Sequence, residues 1–458
     1  MPVDFTPQPS SYRDPAGFLF HRDGILYRQV NRSFQADYDE LISSGLYDHL
    51  VEQHLLIGHE EISENLTGSA DWYRTLRPDH IPFISYPYEW CFDMLKDAAL
   101  VTLQAASDAL DKGMMLKDAT AYNLQWHRGH LLFLDTLSFE RYDEHQPWIA
   151  YRQFCEQLLA PLALMHYLQW PLSSLFLAYP EGLPLPLVKK MLPLRSRFNL
   201  HVYLHLHLHG GLAAREAKTE AAPSPFSSKK MRDLLRSLRT AVSSFELNRR
   251  SGVWSGYYEE AAQRDDYLEQ KLALVDRWSA GLNAAAATDL GANEGRFSEL
   301  LAAQGKFVVS ADFDHYSVNR LYGKIKKEGT NNIHPIVLDL AHPSPALGAN
   351  LEERASFIER TPKGLVLALA LVHHLAIGNN LPFDRIVQLF RALGPALIVE
   401  FIPKSDEKIV AMLKHKKDIY NNYTQDNFLE AFGRSYRIMA QEPVGASGRT
   451  LYLMESHG

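Results

Sequence analysis

The sequence predicts a doubly wound α/β sheet in its C-terminal half, preceded by a region of mixed α+β structure. Short apolar segments, each long enough for one buried strand, alternate with helix-like stretches after residue 284. This alternation is typical of parallel strands that are covered by helices on both faces. Two further strand-like segments, separated by a glycine-rich turn, predict a closing antiparallel hairpin.

The elements of this half are predicted in order along the chain. The first strand follows from the apolar run at 284–287, and an amphipathic helix is expected to begin near Arg296. A helix is also expected at 315–328. The remaining strands are predicted at 306–311, 332–338, 364–370 and 395–401, and the hairpin strands at 436–444 and 450–454.

Composition excludes several classes of protein. The chain has 458 residues, which suggests two or three domains of roughly 150 residues each. A net charge of -7 gives no basic field for a nucleic acid, so we expect no nucleic-acid partner. Only two cysteines are present, which excludes a disulfide framework. Without a signal-peptide core or a long apolar run, we expect a cytoplasmic protein with no membrane partner.

Residues 289–295, Asp-Leu-Gly-Ala-Asn-Glu-Gly, form the most informative motif, between the first strand and its helix. Gly291 permits a tight turn that a Cβ would obstruct. Gly295 lets a ligand and the following helix approach the strand closely. The spacing does not fit a dinucleotide fingerprint, which would need glycine where Asn293 and Arg296 stand. A purely structural glycine turn is the alternative.

Acidic residues and a histidine pair follow the later strands. Asp312 comes about 20 residues after the glycine turn, where a carboxylate can accept hydrogen bonds from ribose hydroxyls. Asp339 and Leu340 follow the third strand, and His373 and His374 follow the fourth. The carboxyl ends of parallel strands share one edge of the sheet, so these residues are expected near one another.

The form D-x-G-x-x-x-G resembles motif I of class I S-adenosylmethionine (AdoMet) methyltransferases, and the likeness covers about 250–458. The resemblance implies that AdoMet is the cofactor and S-adenosyl-L-homocysteine the product. It also implies a last strand that inserts antiparallel. The implied methionine-end residues are Asp289, Gly291, Asn293 and Gly295. The ribose would lie at Asp312, and the adenine at Asp339 and Leu340.

The implied reaction is a direct displacement at the sulfonium methyl group, with alignment as the main contribution of the protein. His373 or His374 is the candidate base. Helices before motif I commonly shape the acceptor pocket in this fold, so its candidate residues are Tyr257, Tyr258, Tyr267 and Lys271. We expect a small-molecule or sugar-like acceptor with a hydroxyl or an amine. No metal is expected, because this region lacks an acidic pair.

Residues 113–140 resemble the catalytic and metal-binding loops of kinase-like phosphotransferases. Asp118 and Asn123 have the kinase spacing D-x-x-x-x-N, and an apolar strand at 131–134 leads to Asp135. In such enzymes these residues orient the acceptor and hold Mg²⁺. Leu116-Lys117 and Asp135-Thr-Leu depart from the usual motifs, and no glycine-rich phosphate loop precedes them, although a small strand is predicted at 24–30. Mg-ATP is therefore an alternative ligand only, and a scaffold is the competing interpretation.

The resemblance extends to bacterial proteins that carry such a region in front of the same methyltransferase. The predicted organisation is a kinase-like region at 1–212, a linker and helix at 213–245, and the methyltransferase domain at 246–458. The linker prediction depends on the small polar stretch 214–230, and the helix on an amphipathic stretch at 231–245. A bifunctional kinase-methyltransferase and a non-catalytic AdoMet-binding scaffold are the alternative functions.

A histidine tract, His201, His205, His207 and His209, gives a competing metal-site hypothesis. On a strand all four would share a face, and on a helix 201, 205 and 209 would align. No acid or cysteine lies nearby to complete a ligand set, so an ordinary amphipathic element is the preferred interpretation.

Overall fold

The computed structural model describes residues 5–208, 226–248, 267–414, 416–445 and 447–457. The chain forms two compact units. The first comprises Met1–Arg249 together with Gly348–Arg354, and the second comprises Arg250–Leu347 and Ala355–Gly458. Among the described residues, no helix combines the length and the apolar character needed to cross a membrane.

The first unit begins with an antiparallel five-stranded sheet of order β1-β2-β3-β5-β4. Its strands are Thr6–Pro7 (β1), Gly17–Arg22 (β2), Ile25–Asn31 (β3), His59–Ile62 (β4) and Trp72–Pro78 (β5). Two helices, Gln35–Ser43 (α1) and Leu46–Glu52 (α2), connect β3 to β4. The small strand predicted at 24–30 is confirmed as β3.

Two short hairpins follow a long helix, Phe92–Asp111 (α3), in the same unit. Met114–Leu116 (β6) pairs with Phe139–Arg141 (β9), and Leu124–His127 (β7) pairs with His130–Phe133 (β8). Arg128 and Gly129 have positive φ angles, which suit the tight turn between β7 and β8. These pairings bring the ends of the 114–123 loop close to the segment that follows β8.

The rest of the first unit is helical. Its helices are Tyr151–Phe154 (α4), Ala160–Leu168 (α5), Leu175–Ala178 (α6), Leu185–Met191 (α7), Leu200–Val202 (α8) and Ser228–Ser243 (α9). Wider π-helical turns at Cys155–Leu159 and Tyr203–Leu208 extend α4 and α8. The helix predicted at 231–245 is confirmed as α9, although it begins earlier, so residues 228–230 of the predicted linker are helical. Residues 214–225 of that linker lie outside the described residues.

The second unit is built on a seven-stranded sheet of order β12-β11-β10-β13-β14-β16-β15. The strands are Ala286–Leu290 (β10), Phe307–Asp312 (β11), Ile333–Val337 (β12), Leu365–Ala368 (β13), Ala396–Phe401 (β14), Tyr436–Pro443 (β15) and Thr450–Ser456 (β16). The first five are parallel, and β16 lies antiparallel between β14 and β15. The predicted sheet and its antiparallel hairpin are therefore confirmed.

Helices cover this sheet. The order in which successive strands are added reverses at β10. The helices are Tyr267–Ala280 (α10), Arg296–Ala303 (α11), His315–Glu328 (α12), Phe357–Arg360 (α13), Phe383–Leu393 (α14), Glu407–Leu413 (α15) and Gln425–Gly433 (α16). β10 pairs with β11 on one side and with β13 on the other, which makes it the topological switch point. In open α/β sheets, ligands bind outside the carboxyl ends of the strands at this point.

Candidate functional site

The turn after β10 has the backbone conformations of a ligand cradle. Gly291 and Gly295 have φ angles of 73° and 81°, in the left-handed region that favours glycine. A Cβ at 295 would also lie 2.5 Å from the side chain of Leu321. Asn293 has a φ of 51°, which asparagine tolerates better than most residues. Asn293 thus serves where a further glycine would otherwise be needed.

Asp289 lies beneath this turn as a buried carboxyl group. Its side chain is 2% exposed and accepts a hydrogen bond of 2.7 Å from the hydroxyl of Ser298. The pKa of Asp289 is raised to about 7, mainly by burial; the hydrogen bond from Ser298 opposes the shift, and the nearby charge of Asp312 adds to it. The carboxyl group is thus poised to ionise when a cation approaches.

Asp312 ends β11 and binds the cradle directly. One carboxylate oxygen accepts the backbone N–H of Asn293 at 2.7 Å, and the other accepts that of Asp314 at 2.8 Å. Burial raises the pKa of Asp312 to about 6. Each oxygen keeps a further lone pair, so the group can still accept hydrogen bonds from ligand hydroxyls. The structure therefore brings Asp289, Asn293 and Asp312 together as the sequence predicts.

The raised pKa values of these carboxyl groups predict that the binding of a cationic ligand depends on pH. A cationic ligand beside Asp289 favours the carboxylate, so its binding releases a proton wherever the free group is protonated. We expect a cationic ligand, such as the AdoMet that the motif resemblance implies, to bind more tightly as the pH rises from roughly 5.5 to 8, by up to about tenfold per pH unit below the pKa. Calorimetry in buffers of different ionisation enthalpy measures the released proton. Affinity that is independent of pH would contradict this coupling.

Asp339 and Leu340 lie just after β12. The carboxylate of Asp339 accepts the backbone N–H of Ala341 at 2.9 Å and lies 3.0 Å from Nδ1 of His342. Asp339 is exposed, whereas Leu340 is buried. An exposed carboxylate can accept a hydrogen bond from the amine of a nucleobase, and a buried apolar side chain beside it can pack against the flat face of the ring.

His373 and His374 follow a strained turn after β13. Ala370 adopts a φ of 49°, which is rare for a residue with a Cβ and shortens the strand predicted at 364–370. The two imidazole rings lie 4.0 Å apart, centroid to centroid. Nδ1 of His373 is buried and has no hydrogen-bond partner within the described part of the chain. A buried ring nitrogen of this kind is available to a ligand.

Both histidines are held in the neutral form. Burial holds the pKa of His373 well below its usual value, and the charges of His374, Arg449 and Lys271 lower it further. Burial also lowers the pKa of His374 to about 4. A neutral imidazole can accept a hydrogen bond, but the imidazolium form is disfavoured here. In this environment the imidazoles can accept hydrogen bonds but do not readily hold an additional proton.

A buried ionic network lies beside His373. Lys271 donates to Glu400 at 2.7 Å, and Tyr267 donates to the other carboxylate oxygen of Glu400 at 2.6 Å. Arg449 donates to Tyr267 at 2.9 Å and to Asp406 at 2.8 and 3.1 Å. Burial alone would raise the pKa of Glu400, but the two cations hold it below its usual value. The network joins α10, β14 and the segment before β16.

Sequence reasoning identified only part of this network. Tyr267 and Lys271 were predicted to line an acceptor pocket, and the structure shows both bound to Glu400. Arg449 and Asp406 were missed, because each lies in a loop whose local sequence gives no sign of a buried charge. The other two predicted pocket residues, Tyr257 and Tyr258, lie outside the described residues.

The first unit gathers the three residues predicted for a kinase-like site. Asn123 donates to Asp118 at 3.2 Å and to the hydroxyl of Ser138 at 3.3 Å, and Ser138 donates to Asp135 at 2.8 Å. Burial raises the pKa of Asp118, and the charge of Asp135 adds to the effect. Arg28, on β3, forms an ion pair with Asp135. Arg28 was not identified from the sequence, because its contact with Asp135 joins positions 107 residues apart.

The histidine tract is divided between separate hydrogen bonds. His201 and His205 each lie 2.8 Å from the hydroxyl of Ser237, and His207 lies 2.8 Å from that of Ser196. His209 lies outside the described residues. Within the described residues, no three histidine, cysteine, aspartate or glutamate side chains are grouped closely enough to hold a metal ion. His201, His205 and His207 thus make hydrogen bonds between neighbouring elements of the first unit.

No family model matches the chain. The nodulation protein NoeA of Rhizobium meliloti (strain 1021) is 31% identical over 457 residues, which cover 97% of this chain and 95% of NoeA. The structure of WbdD is 18% identical, and the match covers 44% of this chain and 43% of WbdD, with a TM-score of 0.32. The N-methyltransferase NodS from Bradyrhizobium japonicum WM9 is 12% identical over 43% of this chain and 99% of NodS, with a TM-score of 0.32.

Proposed function

The chain belongs to the same family as the nodulation protein NoeA, and we propose that it is an AdoMet-dependent methyltransferase. The observation that carries this proposal is the cradle at the topological switch point of the seven-stranded sheet. A left-handed glycine turn lies there between two buried carboxyl groups, those of Asp289 and Asp312. The sheet order, with its antiparallel insertion of β16, supports the same conclusion.

The residues of the cradle fit the parts of AdoMet. The left-handed turn through Gly291, Asn293 and Gly295 receives the methionine end. Gly295 also allows Leu321 to pack directly against the turn, where a Cβ would lie 2.5 Å from its side chain. Asp289 supplies negative charge beside the cationic end of the ligand. Asp312 accepts hydrogen bonds from the ribose hydroxyls, and Asp339 with Leu340 receives the adenine. AdoMet, when bound, supplies the methyl group and leaves as S-adenosyl-L-homocysteine.

As the acceptor we propose a small or sugar-like molecule with a hydroxyl or an amine. The acceptor attacks with a lone pair, and its proton leaves after the new bond to the methyl carbon forms. The unpartnered Nδ1 of His373 accepts a hydrogen bond from that hydroxyl or amine and so aligns the lone pair. His374 packs against His373 and fixes its ring. His373 and His374 are the candidate bases, and their lowered pKa values limit them to accepting a hydrogen bond while the proton passes on to solvent.

A transfer assay with methyl-labelled AdoMet and a metabolite extract tests this function. We expect label to enter a small molecule, and we expect His373→Asn to lower kcat by roughly tenfold to a hundredfold while AdoMet still binds. The matched variant His374→Asn should have the smaller effect. Failure of the protein to bind AdoMet in calorimetry would refute the proposal. Binding without turnover on any extract would favour the non-catalytic scaffold.

A second candidate function is phosphotransfer in the first unit. The hydrogen bonds that link Asp118, Asn123, Ser138 and Asp135 support this candidate, since a kinase-like site needs two aspartates and an asparagine close together. Arg28 occupies the carboxylate of Asp135 that would bind Mg²⁺. Calorimetry with Mg-ATP decides between a site and a scaffold. Binding that disappears in Asp135→Ala would support phosphotransfer, and no binding would support the scaffold.

A further inference from the structure

An apolar face in the first unit is exposed to solvent between residues 191 and 208. Nine of the nineteen large apolar side chains that are exposed among the described residues lie between 168 and 208. Phe198 is 88% exposed, Leu194 70% and Leu200 64%. Large apolar patches on a protein surface mark sites of interaction with proteins or membranes. We define the apolar face by six of these side chains: Met191, Leu194, Phe198, Leu200, Tyr203 and Leu208.

The six side chains lie on elements that pack against one another. The 3-10 turn Leu194–Phe198 contacts α8 and the π-helical turn Tyr203–Leu208, and α7 contacts the same π-helical turn. These elements already bury an inward side, which includes Val188, Ser196 and Leu206. The exposed residues are therefore a second, outward set, and not a core that failed to close.

The charge of this segment is opposite to that of the rest of the chain. Residues 185–208 contain four cationic side chains, Lys189, Lys190, Arg195 and Arg197, and no aspartate or glutamate. The whole chain has a net charge of -7, so the remainder carries -11. An anionic surface would attract this segment and repel the remainder, and it would thereby orient the protein with the apolar face inward.

We propose that the apolar face, together with the four cations of the same segment, binds the surface of a membrane that contains anionic lipids. Exposed leucine, phenylalanine and tyrosine side chains enter the boundary between headgroups and acyl chains, while lysine and arginine bind the headgroups. This arrangement requires neither a spanning helix nor a partner of complementary shape. From the sequence we expected no membrane partner, because the chain has no long apolar run. Such a run is needed only to span a bilayer, so its absence does not argue against binding at the membrane surface.

Co-sedimentation of the full-length protein with vesicles tests this proposal. Vesicles of phosphatidylcholine alone are compared with vesicles that contain about 30% phosphatidylglycerol. We expect binding to the anionic vesicles only. The variants Leu194→Ser with Phe198→Ser, and Lys190→Glu with Arg197→Glu, should each reduce the partition coefficient by about tenfold or more. All four positions are exposed, so thermal unfolding should stay unchanged.

Control variants in the second unit distinguish binding through the apolar face from nonspecific adsorption to vesicles. Ile419→Ser removes an apolar side chain that is 64% exposed, and Lys327→Glu reverses an exposed charge. Both should bind the anionic vesicles as the unchanged protein does. Loss of binding in these controls would overturn the assignment of the face.

Three other outcomes would also overturn the proposal. The first is an absence of binding to either kind of vesicle. The second is binding that depends on charge but survives Leu194→Ser with Phe198→Ser, which would indicate an acidic macromolecule as the partner. The third is a lipid-free dimer that Phe198→Ser dissociates in sedimentation velocity, which would make the face an interface between two copies.

Discussion

Replacing Asp289 with asparagine is expected to weaken AdoMet binding by about tenfold to a hundredfold at pH 8. The change keeps the size of the side chain and the hydrogen bond from Ser298, but it removes the negative charge beside a cationic ligand. A hydrogen bond or contact to a charged group is worth about 1.5–3 kcal/mol, which corresponds to this range. Calorimetry at pH 8 and at pH 5.5 measures the effect.

The pH dependence distinguishes a charge effect from a damaged fold. Since Asp289 is largely protonated at low pH, Asp289→Asn should differ less from the unchanged protein at pH 5.5 than at pH 8. Asp384→Asn, which alters an exposed carboxylate on α14, is the matched control and should bind AdoMet normally. Equal affinity of Asp289→Asn and the unchanged protein at pH 8 would remove Asp289 from the binding site.

Replacing Glu400 with leucine is expected to destabilise the second unit by about 3–5 kcal/mol. The carboxylate of Glu400 is fully buried and neutralises Lys271, which is 1% exposed. Without it, the ammonium group of Lys271 stays buried with no opposite charge, and such uncompensated charges cost about this much. Unfolding of the second unit in urea measures the loss.

A double variant separates the lost ion pair from lost packing. Glu400→Leu with Lys271→Met removes both charges, so it should recover much of the stability that Glu400→Leu loses. Glu455→Gln, at an exposed ion pair with Arg437 on the hairpin, should cost less than about 1 kcal/mol. If Glu400→Leu unfolds no more easily than Glu455→Gln, the network contributes little to stability.

The sheet of the second unit was predictable because each strand is an apolar run bounded by a turn or an acid. The cradle was also predictable, because a positive φ angle and an absent Cβ leave glycine as their signature in the sequence. The position at which β13 ends was not predictable. Ala370 adopts a left-handed conformation that its side chain does not favour, so composition extended the predicted strand through it.

The ionic network was not predictable, because it depends on contacts between distant parts of the chain. Lys271 and Glu400 are 129 residues apart, and Tyr267 and Arg449 are 182 residues apart. A lysine on an amphipathic helix ordinarily points to solvent, and only the folded sheet shows that this one does not. The π-helical turn that divides the histidine tract was hidden for a similar reason, since neither a helical nor a strand period describes it.

The position of β16 between β14 and β15 has a consequence for synthesis on the ribosome. β16 is the last strand of the sheet to be made, yet β15 has no partner in the sheet other than β16 among the described residues. Arg449, just before β16, completes the ionic network at the same time. During synthesis, the edge of β14 that pairs with β16 therefore has no partner until residue 456 has been translated. A nascent-chain chaperone would meet an open sheet edge for most of that interval.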